Sequence, residues 1–203
     1  MIKNIIFDFG NVLLNLDESA TYKALEEFLD PLKSSDLFPS VIFPFDRGEI
    51  SEEAFFNRLQ RRSKIVYHVE TYYKAWNAML LDLPPNRVDL LRHLKKTHRL
   101  FLLSNINITH LRFARRKLEK ENNIFDFENQ FFEKAYYSFE IGMRKPDSEI
   151  YQFVLQDSNL SAEESLFIDD KIENVEGAKQ AGLNAYHHNP EQDIADIIFG
   201  LLD

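Results

Sequence analysis

Two apolar runs, far apart in the chain, each end on polar side chains that can handle a phosphate group. One ends on Asp8, followed by a Gly10-Asn11 turn, and the other ends on Ser104 and Asn105. A carboxylate can attack a phosphoryl group to form an aspartyl-phosphate, which water then hydrolyses. A hydroxyl and an amide can hold the phosphate oxygens during that reaction. These segments therefore indicate a nucleophile and a phosphate clamp.

Two later segments carry the charges that such a reaction needs. Lys145 stands at a probable helix start, and a third apolar run ends on Asp169 and Asp170. Phosphoryl transfer requires the negative charge of the phosphate to be countered, so a lysine and a metal ion are the expected helpers. Together the segments predict a nucleophile, a clamp, a neutralising lysine and metal ligands.

The cofactor expected from these residues is Mg²⁺. This cation prefers a few carboxylates together with water and phosphate oxygens. Asp8 and Asp170 can supply the carboxylates, and the carbonyl of Gly10 a third protein oxygen. Asn174 follows Asp170 by about one helical turn, where it can orient Asp170 or a water on the metal.

Buried strands alternate with helical patterns along most of the chain. This alternation is typical of an α/β fold with a parallel, Rossmann-like sheet covered on both faces. In such sheets ligands bind beyond the carboxyl ends of the strands, where Asp8, Ser104 and Asp170 fall. Strands are predicted at Asn4–Phe7, Arg99–Leu103, Leu166–Ile168 and Asn184–His187, and helices at 86–96, 109–121, 146–156 and 174–181.

Residues 17–83 break this alternation. The segment is rich in aromatic and charged residues, shows helical spacing and lacks a clear buried strand. We therefore predict a helical cap domain at 17–83, inserted after the first strand, and a Rossmann-like core made of 1–16 and 84–203. The cap would lie over the strand ends and choose the substrate. Its candidates to face the pocket are Asp46, Arg47, Tyr72, Trp76 and Asn77.

The composition narrows the classes of partner and location. The 203 residues include 24 Lys and Arg against 33 Asp and Glu, a net charge of −9, which disfavours a nucleic-acid surface. The chain has no run of about 18 apolar residues and no basic-then-apolar leader, so we expect neither a membrane span nor secretion. The absence of cysteine fits a cytoplasmic location. The expected partner is a small phosphorylated metabolite, bound by a monomer or weak homodimer.

The polar segments resemble the motifs of the haloacid dehalogenase superfamily of hydrolases, and the resemblance covers nearly the whole chain. Within the superfamily the chain is most similar to small sugar-phosphate phosphatases that carry a helical cap after the first strand, the α-D-glucose-1-phosphate phosphatase group. The stretches that carry the resemblance are Phe7-Asp8-Phe9-Gly10-Asn11-Val12, Arg47-Gly48-Glu49-Ile50-Ser51, Leu103-Ser104-Asn105, Gly142-Met143-Arg144-Lys145-Pro146 and Ile168-Asp169-Asp170.

The resemblance implies which residues act on the phosphate. Asp8 would be the nucleophile, and Lys145 would neutralise the phosphate as the second catalytic group. Ser104 and Asn105, with Lys145, would bind the phosphate. The expected activity is therefore that of a phosphoric monoester hydrolase.

The resemblance also implies a metal site. Asp8, Gly10 through its carbonyl, and Asp170 would be the Mg²⁺ ligands. Asp169 and Asn174 would lie behind them, Asp169 fixing the lysine. The choice of Asp170 over Asp169 rests on its spacing from the glycine that ends the following helix.

Gly10 departs from the pattern of most phosphatases in the superfamily. At this position, two residues after the nucleophile, they carry a second aspartate that acts as general acid and base. Positioned proton transfer is worth roughly 10²–10⁴-fold in rate. The α-D-glucose-1-phosphate phosphatase group shares the glycine. If no other side chain supplies the proton, the enzyme should favour leaving groups that need little protonation, such as anomeric and aryl oxygens. Otherwise Asp17 or a cap residue must supply it.

Two alternatives compete with a phosphatase. A 2-haloacid dehalogenase also lacks the second aspartate and works without metal. However, Asp169 and Asp170 would repel a carboxylate substrate unless a cation lay between them. A non-catalytic binding protein on the same fold is the other alternative, which Gly10 favours and the intact Asp8, Lys145 and Asp170 oppose.

Overall fold

A five-stranded parallel sheet forms the centre of the computed structural model, which describes residues 1–202. Its strands are β1 (Asn4–Phe7), β2 (Arg99–Ser104), β3 (Lys134–Tyr137), β4 (Ser165–Asp169) and β5 (Asn184–His187). They lie in the order β3-β2-β1-β4-β5. Because β1 pairs with both β2 and β4, the carboxyl ends of these three strands are neighbours. The predicted α/β fold class is confirmed.

The strand β3 was not predicted from the sequence. It pairs with β2 at one edge of the sheet, and only its last two residues, Tyr136 and Tyr137, are buried. An edge strand that is half exposed lacks the continuous apolar run that marks central parallel strands. The other four strands lie where they were predicted, within a residue or two.

Over residues 1–202, eleven α-helices connect and cover the strands. They are α1 (Glu18–Phe28), α2 (Phe43–Asp46), α3 (Glu52–Arg61), α4 (Val69–Asn77), α5 (Pro85–Leu94), α6 (Ile108–Asn122), α7 (Phe127–Phe131), α8 (Ser138–Ile141), α9 (Ser148–Asp157), α10 (Ile172–Gln180) and α11 (Ile194–Leu202). Short 3₁₀ turns span Pro31–Lys33 and Ala162–Glu164, and a π-helical turn spans Phe38–Ile42. The helix α9 begins at Ser148 rather than at the predicted residue 146, so Lys145 lies in the preceding turn rather than at the helix start.

The sheet has apolar layers on both faces because β1 is buried on both sides. Ile5 and Phe7 belong to one core cluster, which includes Leu91 of α5 and Ile198 of α11. Ile6 belongs to the opposite cluster, together with side chains of α9 and α10. Successive side chains of a strand point to opposite faces, so a central parallel strand carries a continuous apolar run, here Ile5–Phe7.

The helices α1 to α4 pack around a separate cluster. At its centre the rings of Phe45 and Phe55 stack at 4.1 Å between centroids, and Trp76 lies 4.8 Å from Phe55. This cluster explains why the segment is rich in aromatic residues. The division into a cap at 17–83 and a core at 1–16 and 84–203 stays a prediction. Over residues 1–202, no helix is both long and apolar enough to cross a membrane.

Candidate active site

The carboxyl ends of three neighbouring strands bring the predicted polar residues together. Asp8 follows β1, and its backbone N–H donates to the carbonyl of Ile168 at 2.9 Å. Ser104 is the last residue of β2 and Asp169 the last of β4, with Asp170 directly after it. One oxygen each from Asp8, Asp169 and Asp170 lies within 4.8 Å of the others. The residues chosen from the sequence therefore form one cluster.

Lys145 lies at the bottom of this cluster and is 1% exposed. Its Nζ donates to Asp8 Oδ1 at 2.7 Å, to Asp169 Oδ2 at 2.6 Å and to the carbonyl of Leu103 at 2.8 Å. An ammonium group has three donors, so all of them are used. Lys145 therefore fixes one oxygen of Asp8 and leaves the other available to react.

Asn105 holds the turn that carries Lys145. Its Nδ2 donates to the carbonyl of Lys145 at 2.8 Å, and its Oδ1 accepts the Lys145 backbone N–H at 2.9 Å. This two-way contact fixes the lysine backbone against the end of β2. The side chain thus has a positioning function that the sequence did not indicate, and its binding of phosphate stays a prediction. Ser104 is buried and lines the same cavity as Asp8.

The two adjacent aspartates have different surroundings. Asp169 is fully buried and accepts hydrogen bonds from Lys145, from the backbone N–H of Lys171 at 2.8 Å and from Asn174 Nδ2 at 2.9 and 3.0 Å. Asp170 is partly exposed to the cavity, and one of its oxygens accepts from Asn11 Nδ2 at 2.9 Å. Asn174 therefore orients Asp169 and not Asp170. Asp170 has the more available oxygens of the pair.

The cluster holds more negative charge than its single lysine balances. Burial raises the pKa of Asp8 to about 7, and although Lys145 opposes this shift, the charges of Asp169 and Asp170 add to it. Burial also raises the pKa of Asp170, an effect that the hydrogen bond from Asn11 counters only in part. Burial alone would lower the pKa of Lys145, but Asp169 and Asp8 outweigh it and the pKa is raised. A site with this imbalance favours a bound cation.

Asn11 is a site residue that sequence reasoning used only as part of a turn. It adopts a left-handed conformation at φ 56°, which asparagine tolerates better than most residues. In addition to the contact with Asp170, its Oδ1 accepts the backbone N–H of Leu16 at 3.2 Å. The turn after β1 is thereby tied to the end of β4. The signal in the sequence was an asparagine after glycine at a strand end.

Gly10 itself is not in the left-handed region. A Cβ atom added there would lie 2.5 Å from Cδ1 of Leu16, the far end of a flexible side chain. The obstacle to a side chain at this position is therefore the packing of Leu16 and not the backbone conformation. Gly10 lines the cavity beside Asp8, as a ligand through its carbonyl would require.

A cavity of about 360 Å³ extends from Asp8 to the helices α1, α2 and α4. Of the five cap candidates, Asp46 and Trp76 line it, whereas Arg47, Tyr72 and Asn77 do not. Tyr72 donates to Ser63 inside the cap, and Arg47 lies 3.6 Å from Asp147. Lining residues that the sequence did not single out as site residues include Glu18, Tyr22, Phe38, His110, Lys171 and Glu173.

Comparison with known proteins decides the family. The family model of haloacid dehalogenase-like hydrolases matches residues 2–182. The chain belongs to this family. The match spans the strand-end cluster and the helices α1 to α4 alike, so the predicted family membership and the prediction of a hydrolase are confirmed.

Two phosphatases and one solved structure are similar to this chain over nearly its whole length. D-ribitol-5-phosphate phosphatase of Bacteroides thetaiotaomicron is 27% identical over 92% of this chain and 91% of its own length. The sesquiterpene phosphatase astK of Aspergillus oryzae is 27% identical over 91% and 89%. A haloacid dehalogenase family enzyme of B. thetaiotaomicron, solved with magnesium and inorganic phosphate, has a TM-score of 0.86 at 26% identity, over 97% of this chain and 99% of its own. These relatives support the prediction of a phosphoric monoester hydrolase.

Proposed function

We propose that the chain is a Mg²⁺-dependent phosphatase of a small phosphorylated sugar or polyol, acting through an aspartyl-phosphate on Asp8. The observation that carries the proposal is the position of Lys145 between Asp8 and Asp169 at the base of a cavity. Burial of an ion pair carries a large desolvation cost, which only good geometry and further hydrogen bonds offset. Here the ion pair fixes one oxygen of the Asp8 carboxylate, and the other oxygen is left to attack.

The residues present fit a magnesium ion. Asp8 and Asp170 offer carboxylate oxygens, and Gly10, which lines the same cavity, would offer its backbone carbonyl. The negative charge of the cluster exceeds the positive charge of its one lysine. Magnesium prefers such a site, with few protein oxygens and room for water and phosphate. When bound, the ion would supply positive charge against the phosphate and the Asp8 carboxylate. The related enzyme solved with magnesium and inorganic phosphate supports this choice.

The chemistry follows from the side chains of the cluster. The free oxygen of Asp8 attacks phosphorus, and the bond from phosphorus to the substrate oxygen breaks. Lys145 keeps Asp8 in place through the contact at 2.7 Å and contributes positive charge. Ser104 lies at the end of β2 where it can donate to a phosphate oxygen. Water then hydrolyses the aspartyl-phosphate and restores Asp8.

The walls of the cavity support a polar, non-ionic organic group attached to the phosphate. Asp46, Glu18 and Arg144 supply hydrogen-bonding groups, and the rings of Tyr22 and Trp76 supply flat apolar surface. Carbohydrates and polyols need both kinds of contact. The relative that hydrolyses D-ribitol 5-phosphate agrees with this class. The carboxylate cluster opposes the dehalogenase alternative, since its charge would repel a haloacid in the absence of a cation.

The direct test is a screen of purified protein against phosphorylated sugars, polyols and nucleotides, with and without Mg²⁺. Phosphate release from sugar or polyol phosphates that stops when the metal is chelated is the expected result. Hydrolysis of a 2-haloacid without metal, or no phosphate release from any substrate including p-nitrophenyl phosphate, would contradict the proposal.

Asp170 is expected to bind the metal more directly than Asp169. Asp170→Asn should weaken Mg²⁺ binding more than Asp169→Asn, because the oxygens of Asp169 already accept from Lys145, Lys171 and Asn174. Loss of a residue that orients the metal ligands typically costs about 10- to 100-fold in metal affinity, so the loss of affinity in Asp170→Asn should exceed that range. Isothermal titration calorimetry with Mg²⁺ measures both. Glu173→Gln, at a carboxylate that lines the cavity outside the cluster, is the control. A larger loss in Asp169→Asn would show the assignment to be wrong.

A further inference from the structure

The group that would protonate the leaving oxygen is missing from the turn after β1, where Gly10 stands. Asp17, the nearest alternative in sequence, serves another purpose. Its side chain accepts from Ser19 Oγ at 2.7 Å and from the backbone N–H of Ala20 at 3.3 Å, as the N-cap of α1. It is exposed and does not line the cavity that holds Asp8.

Two other titratable groups in the cavity are already engaged. Nε2 of His110 contacts the carbonyl of Trp76 at 2.8 Å, and its Nδ1 contacts Asn107 at 3.2 Å. Burial lowers the pKa of His110 to about 4, so the ring is neutral at physiological pH. Glu18 accepts from Lys171 Nζ at 2.9 Å, so its carboxylate is held by that ion pair.

Asp46 is the remaining carboxyl group on the cap side of this cavity. It ends α2, and its Oδ1 accepts from Asn107 Nδ2 at 3.1 Å. Asn107 is itself fixed, since its Oδ1 accepts from Trp76 Nε1 at 3.3 Å and caps α6 at His110. Asn107 comes three residues after Ser104, so its contact ties Asp46 to the segment that leaves the phosphate site.

The charges around Asp46 come from both sides of the cavity. Arg144, directly before Lys145, and Lys171, directly after Asp170, face it from the core, and Arg47 adjoins it on the cap. Tyr22 of α1 also lies within its electrostatic reach. Loss of solvation outweighs the hydrogen bond and these cations and raises the pKa of Asp46 to about 6. A carboxyl near this value can both give and take a proton close to neutral pH.

We propose that Asp46 is the general acid and base of this enzyme, in place of the side chain that Gly10 lacks. The inference rests on the proposed phosphatase function. As the bond between phosphorus and the leaving oxygen breaks, the Asp46 carboxyl gives its proton to that oxygen, and the product leaves as a neutral alcohol. The Asp46 carboxylate then takes a proton from the water that attacks the aspartyl-phosphate. Phosphate is released, and both Asp8 and Asp46 return to their starting states.

The test is a leaving-group series on the parent and on Asp46→Asn. Substituted phenyl phosphates, from p-nitrophenyl to p-methoxyphenyl, keep nearly the same shape while the pKa of the leaving phenol rises. The quantity measured is kcat/KM, because it reports the steps up to departure of the leaving group. In the parent, kcat/KM should decrease only slightly as the pKa of the leaving phenol rises. In Asp46→Asn, kcat/KM should fall by less than about threefold for p-nitrophenyl phosphate. The decrease should be at least about ten times larger for p-methoxyphenyl phosphate, and it should be roughly 10²-fold or more for D-ribitol 5-phosphate.

The pH profile provides a second readout that a purely structural role would not change. The ratio of kcat/KM for p-methoxyphenyl and p-nitrophenyl phosphate cancels the ionisation of the substrate phosphate, which also lies near pH ~6. In the parent this ratio should fall as the pH rises through the pKa of Asp46, about 6, because the proton to be donated is lost. In Asp46→Asn the ratio should not change with pH.

The control variant is Asp17→Asn, in which asparagine caps α1 as well as aspartate does. It should leave the leaving-group dependence unchanged. Asp46→Asn should fold, because the asparagine oxygen can still accept from Asn107, and Asp46→Ala is a second variant that lacks both oxygens. Two results would overturn the role of Asp46 while the phosphatase function stands. One is a parent whose kcat/KM falls steeply as the pKa of the leaving phenol rises, and the other is variants whose kcat/KM falls equally for every phenyl phosphate. A parent inactive on the whole series with Mg²⁺ would instead overturn the proposed function.

Discussion

Replacement of Asp8 by asparagine is expected to abolish turnover while the protein stays folded. The carboxylate attacks phosphorus, and an amide cannot form the acyl phosphate, so kcat should fall by roughly 10⁴-fold or more. The fold should persist because the variant removes a buried charge, and Lys145 keeps its contacts with Asp169 and Leu103. Steady-state phosphate release measures the loss, and circular dichroism checks the fold.

The same experiment can identify the covalent intermediate. After an acid quench during turnover, mass spectrometry of the parent should find one added phosphoryl group on the peptide that contains Asp8, and none in Asp8→Asn. Asp17→Asn, at an exposed aspartate of the same N-terminal region, should keep near-parent activity. Near-normal turnover of Asp8→Asn, or phosphorylation of another peptide, would overturn the assignment of the nucleophile.

Replacement of Lys145 by methionine is expected to cost on the order of 10²-fold or more in kcat. Methionine has a similar length but carries no charge, so Asp8 loses the donor at 2.7 Å that fixes its orientation. One well-placed electrostatic group is worth roughly 3–4 kcal/mol in the transition state, and each 1.36 kcal/mol corresponds to tenfold in rate. The loss should appear in kcat, since the interaction orients the attacking group.

Lys171→Met is the matched control for this prediction. Lys171 lines the same cavity and forms an ion pair with Glu18, but it has no contact with Asp8 within hydrogen-bonding distance among the described residues. Its loss should change kcat far less. Thermal unfolding of both variants separates catalytic loss from loss of stability. A decrease below tenfold in a folded Lys145→Met would show that the bound metal alone suffices.

Four of the five strands and the residues of the central cluster were predicted from the sequence. Asp8, Ser104 and Asp170 each follow an apolar run, and parallel strands place their carboxyl ends at one edge of the sheet. Local pattern was enough here, because a strand buried on both faces is apolar between its ends. For β3 this signal was absent, since an edge strand needs apolar residues on fewer positions.

The sequence by itself thus determined the fold class and the chemical types in the site, but not the partners of each atom. Only the tertiary structure showed that Asn105 holds the backbone of Lys145, that Asn174 holds Asp169, and that Asp46 lines the cavity. Hydrogen bonds depend on distances of a few tenths of an ångström between residues that are often far apart in the chain. Periodicity fixes which face a side chain is on, and tertiary packing alone decides which group it meets there.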